Sequence, residues 1–417
     1  MSSTLDAIKD KQSLYIKASP AVTYGAFAAI GVGVVVAAAG FGTGQGTRVW
    51  GAYLFNLFFF FALSFGAMAL AAITDVIGAT WNRPIRRIQE GFGSFLPVAA
   101  VLFLVFFAAT ALNLGHGKDV YSWIAKPESI AHFRGKNGWL KPGLFYARCA
   151  FLLLGFTYLA VWQLRLSTGR DQLWVDGKDA EAHEKGEEVR VKTRFWSAPI
   201  LIFFGVGFTF FVFDVTMSLA PTWFSTLWGG WHFAVMMQTL MASLLITSFI
   251  LKGNTFLGDY IKRQQLHDLG KLMHGFTVFF AYLTYAHVLT YWYGNMPEET
   301  SYFIARLERP WLYFVFAIPL LGFVFPLYSL IFKASKWTSY IAIPIAGTIL
   351  FAQWCTYLLI VMPQTTPTIA PFPWVEVGLF VGMAGAFVST FLVFAKRHPM
   401  LPIADPLLAQ ALDDGHH

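Results

Sequence analysis

Residues 49 to 76 read VWGAYLFNLFFFFALSFGAMALAAITDV, and the only charged side chain among them is Asp75. A helix needs about 20 apolar residues to cross the roughly 30 Å hydrocarbon layer of a bilayer, and this run exceeds that length. The whole chain has the same character, because 56% of its 417 residues are hydrophobic and only 13% are charged. Soluble globular domains rarely have such a composition. The sequence therefore predicts an integral membrane protein.

Other stretches of the chain are also long and apolar enough to span, and together they give ten predicted spans. Each has the length of a helix and lacks the alternating pattern of a barrel strand, so we expect an all-α helix bundle. We expect one polytopic membrane domain over residues 1–417, with spans near 22–41, 49–76, 93–115, 143–163, 196–219, 228–251, 272–293, 311–333, 337–362 and 373–395.

The loops carry an uneven share of the basic residues. Ten spans put both termini on one side, and the loops of that side hold more than twice as many Lys and Arg as the others. The positive-inside rule then predicts cytoplasmic termini, with 164–195 a charged cytoplasmic loop, 396–417 a cytoplasmic tail and 116–142 a periplasmic loop. The net charge of +7 follows from this topology, and nucleic-acid binding explains it poorly. The polar N-terminal segment lacks the pattern of a removed signal peptide.

Few residues are suited to hold a redox centre. Cys149 and Cys355 are the only cysteines and both lie in apolar runs, so they cannot supply a four-cysteine iron–sulfur site. Four histidines lie in or beside spans, but no pair has a spacing that demands haem. We expect no cofactor held covalently or by metal ligation, and any iron–sulfur chemistry would belong to a partner.

Ionisable side chains inside spans are the candidate functional residues, since each costs about 2.5 to 3.5 kcal/mol at the bilayer centre. Residues 267–300, HDLGKLMHGFTVFFAYLTYAHVLTYWYGNMPEET, place His274 and His287 about 20 Å apart in depth on one polar flank of a helix. We expect that flank to line an interior surface. The proton-path candidates are Asp75, Asp214, His232, Asp268, Lys271, His274 and His287, and the outer-face candidates are His116, Arg148, Glu298, Glu299 and Glu376.

Structural roles compete with the functional ones for several of these residues. Asp75, Asp268 and Lys271 lie near span ends, where snorkelling or an Asp268–Lys271 pair would satisfy them. Arg148 and Glu376 lie near the outer membrane–water interface, where they could anchor their helices. Asp214 lies some five residues inside its span with no basic residue nearby in sequence.

Three segments resemble one known family. DLGKLMHGFTVFFAYLTYAHVLTYWYGNMPEET (268–300), FDVTMSLAPTWFSTLWG (213–229) and GWLKPGLFYAR (138–148) are similar to segments of the polysulfide-reductase/NrfD-like integral membrane subunits. The similarity is greatest to the second such subunit of alternative complex III, the ActF type. With ten spans and cytoplasmic termini, the resemblance covers most of the chain.

The resemblance implies a membrane subunit of a quinol:electron-acceptor oxidoreductase in the bacterial inner membrane, with cytochrome c or a copper protein as acceptor. The subunit would support quinol oxidation and proton translocation, as either a non-catalytic or a quinol- and proton-handling subunit. The implied partners are membrane lipid, an NrfD-like sibling subunit, and periplasmic multihaem cytochrome and iron–sulfur subunits. Quinol would bind at an interface with the sibling.

Other functions remain open at this stage. Within the same class, the chain could be the quinol-binding anchor of a molybdenum or polysulfide-type reductase, and the partner subunits would distinguish the two. A proton-coupled transporter would also place ionisable groups at mid-depth, usually with broken helices in corresponding positions of two halves. A purely structural scaffold predicts that Asp214, Lys271 and His287 can be neutralised without loss of turnover.

Overall fold

A computed structural model describes residues 14–130, 134–366 and 374–413, and these ranges contain α-helices and no strand. The helices are α1 (Pro20–Gly42), α2 (Gly46–Ile77), α3 (Arg86–Gly93), α4 (Leu96–Leu112), α5 (Ser122–Ala125), α6 (Arg134–Trp139), α7 (Pro142–Val175), α8 (Asp179–Val215), α9 (Trp228–Asn254), α10 (Arg263–Gly294), α11 (Pro297–Leu307), α12 (Leu312–Pro319), α13 (Phe325–Ser329), α14 (Ala334–Trp337), α15 (Ser339–Thr365), α16 (Trp374–Arg397) and α17 (Pro406–Asp413).

The described ranges hold ten helical segments that are long and apolar enough to cross a membrane. They are α1, α2, α4 with the short helices before it, α7, α8, α9, α10, α12 continued through α13, α15 and α16. Each corresponds to one of the spans expected from hydropathy. The all-α, multi-span prediction is confirmed at this level.

The opening stretch of sequence forms the central helix of the molecule. In the most apolar 18-residue stretch of α2, 94% of the residues are buried inside the protein. In the corresponding stretch of α1, 11% are buried. A helix that is apolar all round suits a position surrounded by other helices. Helix α2 contacts α4, α8, α9, α15 and α16, and its run of phenylalanines supplies much of the core.

The helices around α2 form two groups, and α2 belongs to the first of them. The first bundle consists of α2, α4, α7 and α8, and the second consists of α9, α10, α12–α13 and α15. Helices α1 and α16 pair closely outside them, because a Cβ on Gly33 would lie only 2.6 Å from the Cα of Gly382. Such glycine contacts let membrane helices approach without a large apolar interface.

Both ends of the described chain lie at the same end of the bundle. The amide of Ile16 donates to the carbonyl of Ala395 at 3.3 Å, and the amide of Met400 donates to that of Leu14 at 2.9 Å. We call this the terminus end and the opposite one the far end. The shared position of the termini agrees with an even number of crossings.

Residues 164–195, expected as a charged loop, are helical over most of their length. Helix α7 continues to Val175 and α8 begins at Asp179, with a tight turn at Gly177, whose φ is +83°. Exposed ion pairs one turn apart lie on α8, such as Lys185–Glu188 at 2.6 Å. Spacings of this kind stabilise a solvated helix, so both helices continue beyond their apolar parts.

The segment expected as a short terminus-end loop, 77–92, and residues 400–405 of the expected tail are also packed into the protein. Helix α3 is buried along its whole length although it carries Arg86, Arg87 and Glu90. Residues 400–405 are buried against it and its neighbours, followed by α17. Hydropathy assigns these charges to solvent, but they are paired inside the protein.

Candidate functional site

His287 of α10 is buried near the far end of the second bundle. Its Nδ1 lies 3.0 Å from the carbonyl of Leu283, which can only accept, so we assign the ring proton to Nδ1. Its Nε2 lies 2.8 Å from the hydroxyl of Ser225, and that hydroxyl also accepts the amide of Leu227 at 3.2 Å. The neutral ring therefore offers Nε2 as a proton acceptor toward Ser225.

His232 of α9 is held in the same way. Its Nδ1 lies 3.0 Å from the carbonyl of Trp228, and its Nε2 lies 3.3 Å from the hydroxyl of Thr216. The stacked rings of Trp228 and Trp231 lie between the two histidines, with Trp231 5.1 Å from the ring of His232 and 6.1 Å from that of His287. The structure thus brings two of the expected residues to one site.

Buried amides continue this line toward the terminus end. Gln238 of α9 donates to Thr277 of α10 at 2.9 Å and to the carbonyl of Gly322 at 2.8 Å, and it accepts a hydrogen bond from Gln353 of α15. Gly322 lies in a π-helical turn, Leu320–Val324, four residues before Pro326. Since proline has no N–H, that carbonyl lacks its usual helical donor and accepts one from the glutamine instead.

Tyr357 of α15 joins the histidines to the amides. It is one helical turn beyond Gln353, and its ring centroid is 6.1 Å from that of His232. Its buried hydroxyl has no hydrogen-bond partner within 14–130, 134–366 and 374–413. A buried hydroxyl without a partner can bond to water or to a rotated neighbour.

The terminus end of α10 is less enclosed. Lys271 pairs with Asp268 at 3.1 Å and is 55% exposed, and Nδ1 of His274 has no partner among the described residues. Lys336 of α14 is buried and donates to the carbonyls of Leu330 and Phe332. Burial, and after it the charge of Lys271, lower the pKa of Lys336. The polar flank of α10 is therefore buried at Thr277, His287 and its far end, and reaches solvent at Lys271.

We call this set the polar seam. It consists of His232, His287, Thr216, Ser225, Tyr357, Gln238, Gln353, Thr277, His274 and Lys336. Its members are mostly neutral groups that can both donate and accept, which suits the passage of a proton. The steps between them need water, because several neighbours are not in direct contact.

Asp214 lies apart from the polar seam, in the first bundle. Arg148 of α7 holds its carboxylate with two hydrogen bonds of 2.6 Å, and the Trp139 indole donates to it at 2.9 Å. The guanidinium also lies 3.8 Å from the Trp139 ring centroid. The basic partner that sequence proximity could not supply comes from the neighbouring helix.

Asp75 belongs to a different group of charges at the terminus end. It accepts from Arg83 at 3.3 Å and from Arg86 at 2.8 Å. We call this group the ion cluster. It consists of Arg83, Arg86, Arg87, Arg170, Asp75, Glu90, Asp171 and Asp405.

The remaining expected residues are scattered over the far end. Glu376 is buried and receives two hydrogen bonds from Arg48, at 2.8 and 3.0 Å. His116 is largely exposed beside Asp119, 3.5 Å away. Glu299 is half-buried in α11, and the Glu298 side chain lies outside the described part. These residues do not form one cluster.

A cavity of about 450 Å³ opens beside His287 at the far end. Its walls are mostly aromatic and aliphatic and come from α9, α10, α11, α12 and α15. Trp223 and Tyr302 form one side, stacked 4.1 Å apart. Tyr302 and Arg306 from α11 also line the cavity. The cavity gives the far end of the polar seam a space that can hold a small molecule.

The sequence analysis does not identify several polar residues of this region as candidates. Gln238, Gln353 and Tyr357 carry no charge, so a search for ionisable groups within spans passes over them. Prolines inside the spans were the available signal, because Pro326 and Pro363 each leave a helix carbonyl without its usual donor. Polar side chains that answer such carbonyls are natural candidates.

The described residues contain no group of three or more His, Cys, Asp or Glu side chains placed to hold a metal ion. Comparison with protein-family models finds no match. Comparison with curated proteins finds no relative either.

Proposed function

We propose that the chain is an integral membrane subunit of alternative complex III, a quinol:electron-acceptor oxidoreductase of the bacterial inner membrane. In this proposal an NrfD-like sibling subunit shares the quinol, and periplasmic multihaem cytochrome and iron–sulfur subunits pass the electrons to cytochrome c or a copper protein. The motifs at 138–148, 213–229 and 268–300 support the family assignment. The polar seam supports a role in handling protons.

The observation that carries the proposal is the run of polar groups through the otherwise apolar second bundle. Quinol oxidation releases two protons, and moving one charge across the membrane takes about 2.3 kcal/mol per 100 mV. A route therefore needs groups that can take and return a proton along its length. An unperturbed imidazole does so near pH 6.5, and hydroxyls and water relay between such groups.

The chain's own residues perform the transfer in a simple order. Nε2 of His287 takes a proton arriving through Ser225 and forms the imidazolium, because Nδ1 keeps its own proton on the Leu283 carbonyl. Return of a proton from Nε2 to water in the adjacent cavity restores the neutral Nδ1–H ring. Tyr357 and the amides around Gln238 orient water between His232 and Thr277. His274 and the solvent-facing Lys271 connect the route to the terminus end.

The test is the variant His287→Gln in the complex purified from its native membrane and reconstituted in sealed vesicles. Glutamine keeps a hydrogen-bonding group but does not titrate, so we expect fewer protons released per electron with subunit content unchanged. Tyr282→Phe is the matched control, because Tyr282 lies on the same helix and is exposed on the outer surface. Parental turnover and proton stoichiometry in His287→Gln would refute a proton-handling role.

The same preparation tests the family assignment through the subunits that co-purify in mild detergent. Multihaem cytochromes and a second NrfD-like subunit are expected. A molybdopterin subunit in their place would assign the chain to a reductase anchor instead.

A further inference from the structure

Arg306 of α11 is buried, at 6% exposure. Its Nε donates to the carbonyl of Leu359 at 3.0 Å, and its Nη2 donates to that of Ile360 at 3.1 Å. Leu359 lies four residues before Pro363, so its carbonyl has no helical donor. Its Nη1 donates a third hydrogen bond to the backbone carbonyl of Tyr302 at 2.6 Å, so three of the five guanidinium N–H groups are engaged.

No carboxylate of the described residues balances the charge of this arginine. Within the described ranges, each of the other buried arginines, Arg48, Arg83, Arg86, Arg87 and Arg170, forms an ion pair, and Arg306 forms none. In the described part of the chain its positive charge meets carbonyl dipoles and the Tyr302 ring, whose centroid is 3.4 Å away. A buried cation without a counter-charge is unfavourable by several kcal/mol. Such a group attracts an anion.

The space beside Arg306 is apolar. The cavity of about 450 Å³ that it lines also contains Trp231, Phe280, Val288 and Ile318. Several lining residues of α10 and α11, including Trp292 and Leu307, are exposed on the surface of the bundle, so the cavity is not sealed from the outside. A small hydrated anion would lose its water there without replacement. An anion that carries a hydrocarbon chain would satisfy both the arginine and the walls.

We propose that this cavity binds an acidic lipid, whose phosphate or carboxylate accepts the two remaining N–H groups of Arg306 while its acyl chain lies among Trp231, Val288 and Ile318. The site is separate from any quinol site, since a neutral quinol would leave the arginine unbalanced. The inference does not depend on the proposed function. It makes the lipid a structural ligand that fixes α11 against α15 next to His287.

The test measures lipid retention by native mass spectrometry of the protein, with whatever complex it purifies in, from mild detergent. The parental chain is expected to keep one acidic lipid. Arg306→Gln, which retains donors but removes the charge, is expected to weaken retention about tenfold or more, as for other charge-assisted bonds. Arg309→Gln is the matched control, because Arg309 is exposed at the end of the same segment and should leave retention unchanged.

Competition separates the possible ligands. Phosphatidylglycerol and oleate are expected to displace the retained lipid, whereas phosphatidylcholine, a neutral quinone and inorganic phosphate are not. Equal displacement by phosphatidylcholine or the quinone would overturn the charge argument, and equal displacement by inorganic phosphate would overturn the lipid assignment. Unchanged lipid retention in Arg306→Gln would also overturn the charge argument.

A second variant keeps the proposal testable if Arg306→Gln fails to fold. Val288→Trp fills the cavity from an exposed position and leaves the arginine in place. It is expected to exclude the lipid while the protein remains assembled. Retention of the acidic lipid in this variant would show that it binds elsewhere.

Discussion

The first and second bundles treat buried polarity in opposite ways. In and around the first bundle, buried charges are matched: Asp214 with Arg148, Glu376 with Arg48, and four arginines with four carboxylates in the ion cluster. In the described part of the second bundle, buried polar groups are neutral amides, hydroxyls and imidazoles. Beside it, the buried cations Arg306 of α11 and Lys336 of α14 contact carbonyls and rings and no described carboxylate.

The difference separates two uses of polar residues in a membrane protein. Matched charges hold helices in register and change little as the protein works, because separating them would expose bare charges to a low dielectric. Unmatched or neutral groups leave hydrogen-bonding capacity for water, protons or a ligand. The second bundle is therefore the better place to seek activity, although the first holds more of the ionisable residues.

The largest expected effect comes from breaking the ion cluster at Arg87. This side chain is fully buried and bonds to Glu90, Asp171 and Ser167. Arg87→Met removes the ion-pair partner of the buried Asp171 and one of the two partners of Glu90, which keeps Arg86, so we expect a loss of roughly 3 to 5 kcal/mol of stability. Thermal unfolding in detergent measures it. Lys185→Met is the control, because it removes an exposed ion pair and should shift the unfolding midpoint little. An equal shift in both variants would show that the buried ion cluster contributes no more to stability than an exposed pair.

A smaller effect is expected in the acid stability of the same cluster. Burial would raise the pKa of Asp405, but Arg170 and then Arg83 outweigh it and hold that pKa below the ordinary 3.8. The ionised group therefore stabilises the fold above the unfolded pKa, and this stabilisation is lost as the pH falls through the folded pKa.

Unfolding midpoints measured between about pH 5 and pH 3 should accordingly fall less steeply in Asp405→Asn than in the parental protein. The variant should also be less stable at neutral pH. Parallel curves for the two proteins would show that Asp405 does not contribute through its charge.

The smallest effect is expected in the polar seam. Gln238→Leu removes the donor to Thr277 and Gly322 and the acceptor for Gln353, and leaves neutral groups unpaired, at a cost of about 1 to 3 kcal/mol. Thermal unfolding measures the loss, and Tyr282→Phe provides the baseline. A loss as large as that of Arg87→Met would mean that the seam is as rigidly structural as the ion cluster.

Hydropathy predicts the number and the rough position of the membrane helices because each is a continuous property of some twenty residues. It fails where polarity is paired across long separations. Arg87 and Asp171 are 84 residues apart, so a local window places 77–92 and the start of 164–195 in solvent. Hydropathy also fails to identify the C-terminal part of α7 and the N-terminal part of α8 as helical, because a charged helix and a charged loop have the same hydropathy.

The candidate residues show the same limit. The spacing of His274 and His287 predicts that both belong to one flank of α10, because 3.6-residue periodicity is a local property of the sequence. Which helices are neighbours decides that His287 contacts Ser225 and lies near His232. It also decides that Asp214 pairs with Arg148. Only three-dimensional packing decides that.

The ion cluster also constrains how the protein is made. Arg83, Arg86 and Arg87 are synthesised before Arg170, and Asp405 follows Arg170 only after another 235 residues. Until it arrives, four arginines share three carboxylates, and the contact that joins Leu14 to Met400 cannot form. Closure of the terminus end is therefore a late event in biogenesis, and a chain that stops before residue 405 would present an open basic surface to the quality-control machinery of the cell.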